Sequence, residues 1–429
     1  MNRRLAVWAL LLAPLSLIAQ EHWVATWAAS PQQVRAPLAP PPAAAPAPGA
    51  PPAPAGPRPI ASFNNQTVRM IVRTSIGGNR LRVQFSNTYG SMPLALGAAH
   101  IALHGKDSGI VAGSDRALTF NGKGSVSIPP GAPVLSDPVD LQVPKLADLA
   151  VSIYILGETG LPTMHATGLH TTYITQGDAT AAAALTDTTT TQSWYYLSAI
   201  HVAAPADAST IVAFGDSITD GATSTVDTNS SWPSFLAQRL AANPATARWA
   251  IVNEGISGNR LLRDGAGVNA LARLDSDVFS QPGVKWMTVM LGINDIGFGM
   301  RQLSEAVTAD QVIGALRQIA DRAHTHGIKI IGCTLTPYEG AAYYSEAGEP
   351  VRQAVNQWIR TGGAFDAVMD FEAVVKDASN PKQIRTDFNI RDHLHPNDAG
   401  YKAMAEAIDL GLFAPRTAPA PPSNLTVSH

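Results

Sequence analysis

The sequence predicts a chain in two parts: an N-terminal β-sandwich, then an α/β region built on a parallel sheet. Three observations carry this. From about Thr67 to Val202, apolar and polar residues alternate with period two in short segments punctuated by turn residues. After about Ala208, apolar strand-like runs alternate with helical stretches, the pattern of βαβ units. The composition, 45% hydrophobic and 15% charged over 429 residues, supplies cores for two or three domains and argues against a disordered chain.

The first element is not part of either fold. Arg3 and Arg4 precede the apolar run Leu5 to Ala19, the layout of a secretory signal peptide over residues 1–19. A membrane anchor is the competing reading, but the run is shorter than the roughly 20 residues a span needs. Pro14 also interrupts it. A secreted or periplasmic location without stable membrane insertion is expected. Removing the segment moves the net charge from −3 to −5. No block of like charge appears, so no nucleic-acid partner is expected. Cys333 is the single cysteine, which excludes an intrachain disulfide framework and a zinc site of several thiolates. Within the apolar run IKIIGC it reads as a buried, inert thiol.

The N-terminal β-domain is assigned to residues 20–206. Trp23 and Trp27 lie in HWVATWAAS, a strand. Residues 36–59 are nearly all Ala, Pro and Gly, which cannot build a sheet, so they read as a loop interrupting the domain. Leu81, Val83 and Phe85 alternate with polar neighbours after the turn Gly77-Gly78-Asn79, and Leu149, Val151, Ile153 and Ile155 repeat the pattern. The α/β region is assigned to 207–414. Its strands are expected at Thr210–Phe214, Trp249–Asn253, Trp286–Leu291, Ile328–Thr334 and Ala367–Phe371. Asp310–His324 reads as an amphipathic helix stopped at Gly327, and Trp232-Pro233 as a helix start. The Pro-rich stretch 415–429 reads as a tail. The junction from Ala203 to Ser209 is short, so the β-domain is expected to support the second region closely.

In parallel sheets ligands sit at the carboxyl ends of strands. The loop after the first strand reads Phe214-Gly215-Asp216-Ser217-Ile218-Thr219-Asp220-Gly221, and the loop after the second reads Glu254-Gly255-Ile256-Ser257-Gly258-Asn259-Arg260. The third gives Gly292-Ile293-Asn294-Asp295, and Asp392-His393-Leu394-His395-Pro396 stands near the end. Acyl transfer needs a nucleophile, a base, a group to orient the base and donors for the oxyanion. Ser217, between strand and helix, has an exposed hydroxyl and an N–H at a helix start. His395 can take the hydroxyl proton, and Asp392, three residues earlier, can hold its tautomer. Gly258 offers a backbone N–H with no side chain in the way, and Asn294 a carboxamide N–H.

These four blocks resemble the SGNH (GDSL) hydrolase family of serine esterases over roughly residues 208–412. GNRLL, SQPGV and GINDIG resemble its xylan acetylesterase subgroup. The resemblance implies a three-layer α/β/α domain with a five-stranded parallel sheet. It also implies a Ser217–His395–Asp392 triad, oxyanion donors at Ser217, Gly258 and Asn294, and no cofactor. Asp216 and Asp295 are expected to fix loop geometry rather than do chemistry. His393 is expected to face solvent, and with no third cluster of ligands beside it and His395 no metal site is expected. His324 and His326 close a helix. Tyr338, Tyr343 and Tyr344, after the fourth strand, are candidates for a substrate-facing wall. No Gly-x-Ser-x-Gly elbow or phosphate-binding glycine loop is present. The expected activity is hydrolysis of short acyl esters, acetyl groups on plant polysaccharide first. A lipid, lysophospholipid or aryl esterase is the rival enzyme. A carbohydrate-binding surface protein with a vestigial hydrolase domain is the rival from another class.

Overall fold

The computed structural model describes residues 21–34 and 62–414. The expected signal peptide, the Pro/Ala-rich loop at 36–59 and the tail from 415 lie outside the described residues. The N-terminal region contains β1 (Trp23–Ala28), β2 (Gln66–Arg73), β3 (Gly78–Ser86), β4 (Leu94–Leu103), β5 (Asp148–Ile155), β6 (Thr163–His165), β7 (Thr172–Gln176) and β8 (Leu197–Ala203), with shorter strands between. A five-stranded antiparallel sheet runs β1-β8-β3 and continues onto Pro133–Leu135 and Val139–Val143. A seven-stranded sheet has β7-β2-β5-β4 at its centre. Leu81, Val83 and Phe85 of the first sheet and Val68, Val151 and Ile153 of the second share one core, the expected sandwich.

One expectation about the sheets needs correction. Alternation suggests that one face of each strand meets water, yet β2 and β5 are buried on both faces. Loops cover the second face of β2. They are held there by the fully buried Arg69, which donates to the carbonyls of Ser108, Thr180 and Ala182 and to Ser152 Oγ. A buried guanidinium is tolerated because each of its nitrogens donates to an acceptor.

From Ser209 the chain builds a parallel sheet of β9 (Ser209–Gly215), β10 (Trp249–Gly255), β11 (Val284–Met290), β12 (Lys329–Cys333) and β13 (Ala367–Met369), in the order β10-β9-β11-β12-β13. Helices cover both faces. α3 (Ala270–Leu274), α4 (Ile293–Arg301), α5 (Ala309–Thr325) and α6 (Gly348–Thr361) bury their apolar sides in one core. α2 (Trp232–Ala242), α7 (Phe371–Val375) and α8 (Asp398–Glu406) pack in the other. Here α5 shows how sequence dictates form. Thr308 and Gln311 make a reciprocal capping box, and Val312, Ala315, Leu316 and Ile319 form its buried stripe. The next strand begins after Gly327, whose φ of 68° suits glycine.

The first strand of this sheet, β9, has β10 on one side and β11 on the other, so the strand order reverses at its carboxyl end. Such a switch point opens a crevice where loops diverge. All three glycine-containing loops singled out in the sequence lie there.

The two regions are joined by more than the short link. Ala25, Ala28 and Ala199 belong to the apolar core of the parallel sheet. The Ala25 N–H donates to Pro282 O at 3.0 Å, and the Ile251 N–H to Ser75 Oγ at 3.1 Å. A cavity of about 90 Å³ remains at this junction, lined by Trp27, Arg73, His170, Asn229 and Asn253 among others. Ser217, Gly258, Asn294 and His395 are not among its lining residues.

Candidate functional site

The nucleophile turn is a single helical turn, α1 (Ser217–Asp220). Asp216 caps it, accepting the Ile218 N–H at 3.1 Å. Ser217 is only 6% exposed, so the exposed hydroxyl expected from its place between strand and helix is corrected: the residue is buried. Its Oγ lies 2.8 Å from His395 Nε2, and His395 Nδ1 lies 2.5 Å from Asp392 Oδ2. A carboxylate can only accept, so Nδ1 carries the proton toward Asp392 and Nε2 is free to accept from the serine hydroxyl. Asp392 Oδ1 accepts the N–H groups of Leu394 and His395, each at 2.9 Å, which fixes the histidine's backbone to its own partner. Burial acts to raise the Asp392 pKa, but these hydrogen bonds outweigh it and hold the carboxyl at about 2. The loop is pinned to the serine side by Thr223 Oγ1–H donating to Pro396 O and Tyr401 Oη–H to Ala222 O.

The loop after β10 is stitched to both neighbours. Ile256 N–H donates to Gly215 O at 3.1 Å, and Asn294 Nδ2–H donates to Asn259 O at 3.0 Å. Gly258 has a φ of 80°, a left-handed conformation that a side chain would strain. Among the described residues its N–H has no hydrogen-bond acceptor. Asn294 sits in the first turn of α4, after Gly292 with a φ of 128°. Its Oδ1 accepts Tyr343 Oη–H at 3.2 Å. With Oδ1 and one N–H engaged, the amide orientation is fixed and one Nδ2–H is left over.

Asp216 and Asp295 take the structural positions expected of them. Burial raises Asp216 to about 7 and leaves its Oδ2 without a partner among the described residues. Burial raises Asp295 to about 6, although it accepts the Leu261 and Leu262 N–H groups at 2.8 and 3.0 Å.

The tyrosine wall is corrected. Tyr338 is fully buried in the core of the parallel sheet, so it cannot line an open groove. Tyr343 is buried as well and spends its hydroxyl on Asn294. Tyr344 is half-buried and bonds Glu346. The loop folds inward because Tyr338 stacks edge-on against Tyr344 with centroids 5.0 Å apart. His393 is corrected too: it is half-buried with a φ of 59°, and its ring lies against Gly340. His324 and His326 close α5, with His324 Nε2 2.9 Å from Asp366. Cys333 is buried, and burial pushes its thiol pKa up. Among the described residues no cluster of His, Cys, Asp and Glu could hold a metal, and no helix is long and apolar enough to cross a membrane.

Sequence reasoning missed the groups behind the loops. The buried Arg273 donates to Gly215 O, Glu254 O, Asn259 Oδ1, Asp277 Oδ2 and Ser30 Oγ, all at 2.8–3.0 Å. One guanidinium thus ties the ends of β9 and β10 to the oxyanion loop. Burial beside Asp277 pushes Glu254 well above the usual carboxylate range, and Ser30 and Gln281 donate to it. No local motif marks Arg273, which looks like any surface arginine on a short helix. Asp220 was visible inside the serine block, but its partner His165, in the N-terminal region, was not.

A family model described as GDSL-like Lipase/Acylhydrolase matches residues 211–408. Solved structures of similar shape include a variant of an acetyl xylan esterase from Geobacillus stearothermophilus, at 24% identity with a TM-score of 0.37. The match covers 47% of this chain and 93% of that one. An alpha/beta hydrolase enzyme from the metagenome of Lake Arreo, Spain, is 22% identical, with 46% and 92% coverage and a TM-score of 0.37. A GDSL-like lipase from Bacteroides thetaiotaomicron is 18% identical, with 46% and 84% coverage and a TM-score of 0.35. No curated protein matches the sequence. The match spans a little under half of the chain and identifies residues 211–408 as a region similar to the GDSL-like Lipase/Acylhydrolase family.

Proposed function

We propose that the protein is an exported serine esterase that removes short acyl groups, acetyl groups first, from plant polysaccharide. The observation that carries the reaction type is the unbroken chain Ser217 Oγ to His395 Nε2, His395 Nδ1 to Asp392. His395 takes the Ser217 proton as the hydroxyl attacks the ester carbonyl. The charge that develops on the carbonyl oxygen meets the N–H groups of Ser217 and Gly258 and the remaining Asn294 Nδ2–H. His395 then gives the proton to the departing alcohol, and a water repeats the steps on the acyl-enzyme. The substrate preference is supported by the stretches GNRLL, SQPGV and GINDIG, and export by the apolar run behind Arg3 and Arg4.

The substrate is tested with acetylated xylo-oligosaccharides against fatty-acyl esters of rising chain length. A kcat/KM that is highest for acetyl and falls by at least about tenfold by octanoyl, near 1.4 kcal/mol, is expected. A rise with chain length points to a lipid esterase instead. No turnover of any short ester by folded protein leaves a binding protein.

Asn294→Ala should cost about 10²–10³ in kcat, roughly 2.7–4 kcal/mol, with little change in KM. An effect confined to KM assigns Asn294 to substrate binding.

A further inference from the structure

We propose that the N-terminal β-region supplies positioning residues to the esterase site: His165 and Thr167 hold Asp220 and Ser257, and through them the loop that presents the Gly258 N–H. This rests on Gly258 being an oxyanion donor. His165, at the end of β6, is 3% exposed and sits between two acceptors. Its Nδ1 is 3.0 Å from Ser30 O and its Nε2 is 3.0 Å from Asp220 Oδ1. A carbonyl and a carboxylate both need a proton donor, so both ring nitrogens donate and His165 is an imidazolium. Its ring stacks on Trp194 with centroids 5.6 Å apart, which sets its plane.

The other oxygen of Asp220, Oδ2, accepts the Ser257 N–H at 2.8 Å and its Oγ–H at 2.6 Å. Thr167 Oγ1–H then donates to Ser257 Oγ at 3.1 Å. Asp220 is the last residue of the turn that begins with Ser217, and Ser257 immediately precedes Gly258. One carboxylate therefore spans the nucleophile turn and the oxyanion loop, and its remaining oxygen is locked from the other region. A buried ion pair is weak evidence for stability, since well-packed apolar groups often do as well. Its placement between two catalytic loops is what an orienting role requires. Misplacing a donor by about 1 Å can cost on the order of 10²-fold in rate.

The test uses the full chain with p-nitrophenyl acetate, each variant counted by active-site titration with a fluorophosphonate. Thr167→Val keeps shape and removes one hydroxyl; His165→Leu removes the imidazolium, and His165→Gln restores one N–H donor toward Asp220. The expected result is kcat per titrated site lowered by about tenfold or more in Thr167→Val and His165→Leu. KM should stay within about twofold, and His165→Gln should recover part of the loss. A purely structural contact would lower melting temperature and the titrated fraction while leaving kcat per site unchanged, and that result overturns the proposal. Should His165→Leu fail to fold, the half-buried Thr167 still decides it. Asn294→Ala is the control. If it is slow while the Thr167 and His165 variants turn over normally, the relay is wrong and the oxyanion reading stands. If Asn294→Ala is unimpaired and the Thr167 and His165 variants also turn over normally, both the oxyanion reading and the relay have failed.

Discussion

Ser217→Ala should lower kcat for short acyl esters by at least about 10³-fold while the protein stays folded. The size follows from the hydrogen-bond chain. Among the described residues His395 has no other hydroxyl within hydrogen-bond distance, and without Oγ the acyl-enzyme route closes. Residual turnover would come from the oxyanion donors acting on water, which retain a few powers of ten over the uncatalysed reaction. The fold should survive because Asp216, not Ser217, caps α1, and among the described residues the lost hydroxyl makes no hydrogen bond besides that with His395. Circular dichroism and an unchanged melting temperature check that half of the claim. A fluorophosphonate should label Ser217 in the wild type, and labelling at any other serine overturns the assignment.

His395→Ala should fall by a comparable factor, and His393→Ala should keep most of the activity. The two histidines are two residues apart, and the sequence favours His395 because Asp392 precedes it by three residues and Pro396 follows it. Their geometry differs completely. The His395 ring bridges Asp392 and Ser217, whereas His393 lies against Gly340 and has no place in that chain. Removing the base leaves the Ser217 proton with nowhere to go, so a loss on the order of 10³-fold or more is expected, all of it in kcat. The reverse ranking of the two variants refutes the register of the triad.

Some of this was readable before any coordinates. The five parallel strands announced themselves as apolar runs, and α5 as a capped amphipathic stripe, because a single element carries each signal. The blocks around Ser217, Gly258, Asn294 and His395 were legible for the same reason. What was hidden depends on contacts between distant segments. Tyr338 reads as a loop aromatic, and only the packing of Pro337–Pro350 back onto the sheet turns it inward. Arg273 and His165 have no local signature; each acquires its role from Ser30, Glu254 or Asp220, which lie far away in sequence.

The stretches that suggested the xylan acetylesterase subgroup acquire a different sense. Leu261 and Leu262 of GNRLL donate to Asp295 of GINDIG. Gln281 of SQPGV donates to Glu254, and the carbonyl of Pro282 receives the Ala25 N–H. These positions tie loops and regions together.

The pairing of β1 with β8 sets an order of events. Trp23 lies opposite Ala203, so the first strand cannot settle until nearly all of the N-terminal region is present. Closing so large a loop is entropically slow compared with local helix and strand formation. The parallel sheet depends on shorter-range contacts and can collapse earlier. Until β1 and the residues behind it dock, Arg273 and Glu254 lack Ser30, and Pro282 lacks its donor. Catalytic competence is thus expected to come late in refolding. A refolding experiment should then show esterase activity returning with the docking of the first strand, after the far-UV signal of the sheet that carries the serine.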